Sequence, residues 1–235
     1  MSMTDFRLPP ADPTRLTLYH APGACSRVVL SALEEIGTTY DAVALHLVRG
    51  DQHTTEYAAV NPRAQVPALA KEGRVVTGTS VILHYLHHQN PEAGLLPIGD
   101  GPEIDHVYLS DLVWCADTLH PLVSHIRNPA RWTAGDSESV HGKALATFAP
   151  LMRKIDSRLQ NNGSWWYGRE WSIMDVYLFW AYHVASSGGF DLSSYPAILA
   201  HRRAVRDRPS FRRALEIEQR CVDDLGVVFP AGFEL

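Results

Sequence analysis

A strand, a helix and a second strand follow one another near the N-terminus, and this alternation constrains the fold more than any other feature. Residues 16–19 predict the first strand, and residues 21–24 predict the turn that ends it. Apolar residues then recur at helical spacing over residues 25–36, until Gly37 ends the helix. Residues 40–45 predict the second strand. Two strands joined through one helix form a β-α-β unit, in which we expect the strands to be parallel.

Cys25 lies where the first helix is predicted to begin. Unpaired backbone N–H groups and the positive end of the helix dipole favour an anion there. Such a position lowers a cysteine pKa, and the thiolate is the reactive form. Arg27 adds a positive charge nearby. The alternative is a small apolar residue packed under the strand, and the local sequence does not decide between the two.

The rest of the first half completes a small α/β domain. Residues 55–60 predict a short helix, and residues 66–69 and 74–76 predict two strands of a hairpin. A further helix begins after Gly78 and is expected to pack one face on the sheet; that face consists of Val81, Ile82, Tyr85 and Leu86. The element order is therefore β-α-β-α-β-β-α over residues 15–89, preceded by a flexible leader at residues 1–14.

The second half has a different character. Residues 90–102 are rich in Pro, Gly and Asp, which is typical of a linker. Beyond the linker every apolar pattern is helical, so residues 103–235 predict an all-α domain. Its predicted helices lie near residues 104–119, 145–159, 173–184, 196–206 and 209–219.

The helix near residue 173 has a clear start signal. Ser172 and Asp175 form a capping box, with aspartate in place of the commoner glutamate or glutamine. Trp171 and Val176 can form the hydrophobic staple around it. A cap of this kind contributes about 1 kcal/mol, so we interpret it as a folding device rather than a catalytic group.

Composition excludes several classes of partner. The chain has 235 residues and a formal net charge of −5, which argues against nucleic acid. No apolar stretch is long enough to span a membrane, and the N-terminus lacks a signal-peptide core. Three cysteines are too few for a disulfide framework or a zinc site, which favours a cytoplasmic protein. His84 and His88 are spaced for a metal, but no Glu or Cys completes the set, and we predict no metal site.

Several short fragments occur together in an order typical of one protein family. They are residues 22–26 (Pro-Gly-Ala-Cys-Ser), 59–63 (Ala-Val-Asn-Pro-Arg), 66–69 (Val-Pro-Ala-Leu) and 117–120 (Asp-Thr-Leu-His). They resemble the glutathione S-transferase family, in particular its bacterial, cysteine-bearing (beta-class) branch, and the resemblance covers roughly residues 15–220. It implies an α/β thioredoxin-like N-terminal domain followed by an all-α helical C-terminal domain, with glutathione as co-substrate.

The resemblance implies how glutathione is held. In this family the proline of a Val-Pro step is cis, which aligns the preceding main chain with the cysteinyl part of glutathione; Val66 and Pro67 match this step. Gln65 belongs to the same binding segment. Arg49 matches, within a residue or two, the basic residue that meets the glycyl carboxylate. Thr79 matches the hydroxyl residue that holds the γ-glutamyl carboxylate at a helix N-terminus.

The resemblance also implies catalytic and acceptor residues. Cys25 matches the thiol that lies beside the glutathione sulphur, and Ser26 is a second candidate. His120 matches an active-site histidine that polarises or deprotonates the attacking thiol, although a packed or surface histidine is the alternative. Trp114 and Trp180 are expected to line an apolar acceptor pocket.

Gly78 departs from the family pattern. The family usually has Glu or Gln at this position, and that side chain receives the γ-glutamyl ammonium. A charge-assisted hydrogen bond contributes roughly 1.5–3 kcal/mol, or about one to two decades of affinity. Either glutathione binds weakly, or another group such as one from a partner subunit supplies the charge, or the ligand is not glutathione. The branch's asparagine seven residues before His120 is also absent, since Val113 stands there.

Two functions follow from these observations. The first is a detoxifying transferase that activates the glutathione thiol for attack on a hydrophobic electrophile, with glutathionyl or disulfide exchange through Cys25 as a close variant. The second is a catalytically weak scaffold of the same fold that binds a different ligand or a protein partner, which Gly78 favours. The resemblance further implies a homodimer. We also expect the apolar tail at residues 227–235 to pack over the helical domain and border the acceptor pocket.

Overall fold

The structure, a computed structural model, describes residue 12 and residues 14–97, 102–230 and 232–235. The chain forms two compact units. The first contains the described residues up to Ala93, with Pro209–Val228 and Leu235; the second contains Gly94–Arg208 and Phe229–Glu234. The predicted leader lies almost entirely outside the described residues. Among the helices of the described ranges, none is both long and apolar enough to cross a bilayer.

A four-stranded sheet forms the centre of the first unit. Its strands are β1 (Thr17–His20), β2 (Asp41–Ala44), β3 (Ala68–Lys71) and β4 (Arg74–Thr77). They lie in the order β2-β1-β3-β4. β1 and β2 are parallel, whereas β3 is antiparallel to both β1 and β4. The predicted β-α-β unit and hairpin are therefore confirmed.

Nine α-helices lie in the described part of the chain. They are α1 (Ser26–Ile36), α2 (Thr55–Val60), α3 (Thr79–Gln89), α4 (Pro102–Trp114), α5 (His120–Arg127), α6 (Ser137–Asn162), α7 (Ile173–Ser187), α8 (Pro196–Asp207) and α9 (Pro209–Leu225). The thioredoxin-like order of the first half and the helical character of the second half both agree with the prediction.

α1 begins directly after Cys25 and packs its apolar side chains in the core of the first unit. Val28, Val29 and Leu33 are completely buried. The helix ends at Gly37, whose φ of 72° is left-handed and whose N–H donates to the carbonyl of Leu33. Glycine adopts this conformation without the steric cost of a Cβ, which is why the chain can turn here into β2.

The predicted inward face of α3 is wrong in part. Ile82 and Leu86 are buried, but Val81 and Tyr85 are exposed, and Leu83 is buried in their place. The inward face is centred on Ile82, Leu83 and Leu86, which are related by steps of one, three and four residues. Val81 and Tyr85 are thus apolar residues on the outer side of this unit.

The winding of the helical backbone changes between α4 and α5. Residues Cys115–Leu119 form a π-helical segment, and the helix then continues to Arg127. The sequence analysis predicted a single helix ending near residue 119, because periodicity alone does not reveal a local insertion into a helix. Segments of this kind are frequent at functional sites. Here the segment places His120 at the first position of α5.

α7 forms the buried centre of the second unit, and every residue from Ile173 to Ala185 is buried. The predicted capping box at its start is present. Asp175 Oδ2 accepts hydrogen bonds from the Ser172 N–H at 2.8 Å and from the Ser172 hydroxyl at 3.0 Å. Asp175 Oδ1 also accepts from the Trp166 N–H at 2.7 Å and contacts His201 Nε2 at 2.9 Å. The box therefore belongs to a larger buried network.

The units differ from the predicted domain boundaries in two places. α9 groups with the first unit, although its helical pattern placed it in the second domain. The described part of the predicted linker is also packed, because Leu95 and Leu96 are completely buried and the Leu95 carbonyl accepts from the Ile173 N–H at 2.7 Å. Local composition indicates neither result, since both depend on contacts distant in sequence.

Candidate functional site

Three predicted residues of the first unit come together. Cys25 lies at the N-terminus of α1, Val66 precedes β3, and Thr79 is the first residue of α3. The Cys25 thiol lies 3.8 Å from the Val66 carbonyl oxygen and is placed to donate to it. The Thr79 hydroxyl lies beside the Cys25 sulphur and lowers the pKa of the thiol by hydrogen bonding. One thiol, one main-chain carbonyl and the start of a second helix thus form a single site.

The segment before β3 is held by two side chains that the sequence analysis missed. The Tyr57 hydroxyl and the Asn61 amide each donate to the Gln65 carbonyl at 2.7 Å. The Gln65 side chain itself is exposed. The bond between Val66 and Pro67 is cis, as the resemblance implied. The sequence does show a tyrosine in α2 and an asparagine in the turn after it. It does not show that both side chains bind the Gln65 carbonyl, because no sequence pattern identifies a main-chain acceptor.

Burial determines the state of the Cys25 thiol. Its side chain is buried, and loss of solvation raises its pKa. The hydrogen bond from Thr79 and those from the Cys25 and Ser26 backbone N–H groups act in the opposite direction but are smaller. The predicted lowering of this pKa is therefore wrong. The N–H groups are present as expected, but the thiol is protonated near neutral pH.

Ser26 has a structural environment rather than a catalytic one. Its side chain is completely buried. The hydroxyl accepts from the Ala21 N–H at 3.0 Å and donates to the Ala21 carbonyl at 3.2 Å. Because both bonds go to one residue of the preceding turn, the hydroxyl closes that turn onto α1. These bonds favour a structural role, and the assignment of Ser26 as a catalytic residue remains an untested prediction.

Arg49 lies in a short 3₁₀ turn after β2. Its Nη2 atom is 3.4 Å from Oδ2 of the buried Asp51, while 43% of the arginine side chain remains exposed. The same Asp51 oxygen accepts from the His46 N–H at 2.7 Å. The buried carboxylate anchors the loop, and the partly exposed guanidinium keeps donors that face solvent. The assignment of Arg49 to a ligand carboxylate remains a prediction.

Gly78 has a backbone conformation that residues with a side chain rarely adopt. Its φ is 86° and its ψ is 126°, immediately before α3 begins at Thr79. A Cβ built on this residue would meet its nearest neighbour, Val81 Cγ2, at 3.9 Å, which is ordinary contact. The position therefore has room for a side chain but imposes strain on one. Strain of this kind costs about 1–2 kcal/mol for an L residue.

The remaining predicted residues lie in the second unit. The His120 ring packs against Trp180 with a centroid distance of 4.5 Å, and burial lowers the pKa of His120 to about 4. The imidazole is therefore neutral near pH 7. Trp180 also contacts Tyr177, whereas Trp114 stacks on Trp166 at 5.7 Å. The two tryptophans thus have separate neighbours, and their assignment to an acceptor pocket stays a prediction.

Most of the C-terminal tail, Phe229–Glu234, groups with the second unit, whereas Val227, Val228 and Leu235 group with the first. The Glu234 carbonyl oxygen lies 2.7 Å from His183 Nε2, and the Phe233 ring contacts the His183 ring at 5.0 Å. The Arg127 guanidinium lies 5.4 Å from the centre of the Phe233 ring. The contacts of Phe233 and Glu234 agree with the tail hypothesis, whereas Val228 is exposed, and the role of the tail beside an acceptor pocket remains a prediction.

Two further observations concern residues outside this site. The Nε2 atoms of His84 and His88 are 3.1 Å apart on α3, a separation that a metal ion can bridge, so the predicted absence of a metal site stays a prediction. Glu218 of α9 contacts the turn before Cys25, and the sequence analysis missed it. Helix α9 is amphipathic and contains several charged residues, so its sequence does not reveal that this one glutamate is buried.

Comparison with known proteins adds an independent result. Residues 14–88 match the family described as Glutathione S-transferase, N-terminal domain. Maleylacetoacetate isomerase of Rattus norvegicus is 30% identical over 194 residues, which cover 80% of this chain and 86% of the relative. A solved bacterial beta-class glutathione S-transferase of Sphingomonas chungbukensis is 30% identical, with a TM-score of 0.75 over 86% of this chain and 98% of that one. A glutathione transferase homologue from Sulfitobacter, solved with bound glutathione, is 28% identical, with a TM-score of 0.75 over 92% and 100% of the two chains.

Proposed function

Because the chain belongs to the glutathione S-transferase family, we propose that it is an enzyme that activates the thiol of glutathione for attack on a hydrophobic electrophile. One observation carries this proposal. The Cys25 thiol, the Val66 carbonyl and the Thr79 hydroxyl meet at the N-terminal ends of α1 and α3. Backbone N–H groups at helix N-termini favour bound anions, and a glutathione thiolate and its carboxylates are anions.

The proposed binding mode uses main-chain groups first. Val66 supplies the N–H and C=O that pair with the cysteinyl part of glutathione, and Pro67 and Gln65 shape that segment. Thr79 and the N-terminus of α3 hold the γ-glutamyl carboxylate. Arg49, with its partly exposed guanidinium, meets the glycyl carboxylate.

Cys25 acts in this proposal as a hydrogen-bond donor. Its raised pKa keeps the S–H intact near neutral pH, so a glutathione sulphur beside it gains a donor. A hydrogen bond to the charged form of a group lowers the pKa of that group, which favours the glutathione thiolate. His120 is proposed to polarise the attacking thiol as a neutral imidazole, because burial lowers its pKa to about 4 and so disfavours its protonated form. Trp114 and Trp180 are proposed to contact the hydrophobic acceptor.

Glutathionyl exchange, the variant of this activity, requires a different protonation state of Cys25. The Cys25 sulphur must then be a thiolate, because the thiolate is the species that attacks a disulfide. Burial opposes that form. We therefore expect exchange to be slow near neutral pH and to become faster as the pH rises toward the pKa of Cys25.

Gly78 supports a second candidate function, a scaffold of low activity that binds another ligand or a protein partner. The position lacks the side chain that would receive the γ-glutamyl ammonium. A weakened contact of this kind reduces affinity without removing the site at Cys25. The candidates therefore differ in whether glutathione is bound and used at all.

A homodimer in the cytoplasm completes the proposal. Val75, Val81 and Tyr85 of the first unit are apolar and exposed, which a second copy of the chain would cover. The cytoplasmic location is proposed from the sequence, because its three cysteines are too few and too scattered for a disulfide framework. Analytical ultracentrifugation should give a dimer, and Val81→Glu should convert it to monomer. Val228→Glu, at another exposed valine, should leave the dimer intact, and a monomeric wild-type protein would contradict the proposal.

A panel of activity measurements tests the enzyme proposal. The wild-type protein is passed over immobilised glutathione and then assayed with glutathione plus an aryl halide, a small disulfide or maleylacetoacetate, the compound named in the rat relative. We expect retention and turnover of at least one acceptor. Cys25→Ala should lower kcat by about tenfold or more, since loss of one donor to a developing anion has effects of that size. Cys221→Ala is the matched control and should retain activity.

The opposite result is equally clear. No retention and no turnover with any acceptor would overturn the enzyme proposal and favour the scaffold. Retention with full activity in Cys25→Ala would overturn the role of Cys25 alone.

A further inference from the structure

One buried carboxylate touches the chain on both sides of Cys25. Glu218 lies on α9 and is completely buried. Its Oε1 atom accepts from the Gly23 N–H at 3.2 Å. Its Oε2 atom accepts from Arg27 Nε at 2.7 Å and lies 2.5 Å from Arg27 Nη2. Gly23 and Arg27 are each two residues from Cys25, so one side chain holds both flanks of the thiol.

The ion pair is unusual because both partners lack solvent contact. The side chains of Arg27 and Glu218 are each 0% exposed. Burial raises the pKa of Glu218, whereas Arg27 and the Gly23 N–H lower it. A buried ion pair contributes little stability beyond that of a well-packed apolar pair, because desolvation offsets most of the attraction. Stability alone is therefore a weak explanation for charges at this place.

The turn that Glu218 contacts has a demanding geometry. Gly23 has a φ of 74°, in the left-handed region. In the same turn the Ala24 N–H donates to the Ala21 carbonyl at 3.1 Å, and the Gly23 N–H donates to Glu218. The same carboxylate fixes the Arg27 side chain in the first turn of α1, so the direction of the turn and the rotation of the helix are set together.

We propose that Glu218 is a positioning residue for Cys25, because its contacts to Gly23 and Arg27 determine where the thiol lies relative to Val66 and Thr79. The inference rests on the proposed function for its catalytic consequence. Its structural consequence, the placement of Cys25 in the free protein, is independent of that function. Glu218 does not touch the thiol, and it acts through the turn and through α1.

Two variants separate positioning from folding. Glu218→Gln keeps the shape and an acceptor for Gly23 but removes the charge that faces Arg27. The double variant Arg27→Leu with Glu218→Leu removes both charges, so that neither is left buried without its partner. Glu216→Gln is the first control, because Glu216 is exposed on the same helix. Arg213→Gln is the second, because Arg213 pairs with Glu34 at 2.7 Å and so links α9 to α1 away from Cys25.

The first measurement needs no substrate. The rate of Cys25 alkylation by iodoacetamide is followed by mass spectrometry in each folded variant, with cooperative urea unfolding as the check of folding. Both Glu218 variants should react about tenfold faster than wild type, because a loosened turn exposes the thiol more often. Both controls should stay within about twofold of wild type. Glu218 variants that react like the controls would overturn the proposal.

The second measurement is the split between kcat and KM. If wild type turns over an aryl halide, both Glu218 variants should lose about tenfold or more in kcat while KM for glutathione changes little, since a displacement of about 1 Å can cost as much as 10²-fold. A lowered kcat that the Arg213 control shares equally would indicate a general structural effect and overturn the proposal. If wild type is inactive, the proposed function fails, and the alkylation rates alone decide whether Glu218 positions Cys25.

Discussion

Replacing Gly78 with glutamate adds the carboxylate that the glutathione S-transferase pattern has at this position. The structure separates the benefit of this change from its cost. A built Cβ meets Val81 Cγ2 at 3.9 Å, so the side chain has room, but the φ of 86° strains any L residue. The strain, about 1–2 kcal/mol, is present with and without ligand. It therefore lowers the free energy of unfolding and leaves the affinity for glutathione unaffected.

The benefit appears only in the complex. A carboxylate that receives the γ-glutamyl ammonium adds a charge-assisted hydrogen bond worth roughly 1.5–3 kcal/mol. We expect Gly78→Glu to bind glutathione about 10- to 100-fold more tightly than Gly78→Ala, which carries the same strain without the carboxylate. Isothermal titration calorimetry gives the affinities, and urea unfolding gives the stability of each variant.

A ligand lacking the ammonium provides the decisive control. A glutathione analogue without the γ-glutamyl amino group should bind Gly78→Glu no more tightly than Gly78→Ala. The reasoning is refuted if Gly78→Glu and Gly78→Ala bind glutathione equally, since position 78 would then not face the ammonium. A gain that persists with the analogue would refute it as well.

Three other predictions follow from the buried groups. Asp175→Ala leaves two N–H groups and a buried histidine without their acceptor, so urea unfolding should show a loss of about 3–5 kcal/mol in the free energy of unfolding. Asp156→Ala is the control, because it loses one bond to a helix N–H and should cost about 1 kcal/mol. Equal losses in the two variants would contradict the network. Burial lowers the pKa of His20 to about 4, below its unfolded value of about 6.5. As the pH falls, the unfolded state takes up this proton first, so the contribution of His20 to the free energy of unfolding is fully present above about pH 6.5 and is lost toward pH 4. His20→Leu should therefore make the free energy of unfolding less dependent on pH in this range. An unchanged pH dependence would refute the burial argument. Thr79→Val removes a hydrogen bond that lowers the Cys25 pKa, so the pH profile of Cys25 alkylation should move to higher pH, and no movement would show that the hydroxyl lies elsewhere.

Most of the backbone followed from signals within a few residues. The helix predicted at residues 55–60 has those bounds, and the Thr54 hydroxyl accepts from the Tyr57 N–H at its start. Gly37 ends α1 in the left-handed conformation, and Ser172 and Asp175 form their capping box. Caps, turns and helical periodicity act between residues close in the chain, so their physics can be read from the order of residues. The family resemblance added the cis bond before Pro67, which no local signal requires.

The chemistry of the candidate site depends on contacts that the order of residues does not encode. A cysteine at a helix N-terminus suggested a thiolate, yet burial raises its pKa, because desolvation depends on all the atoms packed around the sulphur. The Ser26 hydroxyl looked available for catalysis but is used by the turn at Ala21. Glu218, separated by 191 residues from Arg27, reaches Cys25's flanks only because α9 returns to the first unit. Hydration and long-range pairing arise once the chain has folded, and for that reason they were the part that sequence reasoning could not supply.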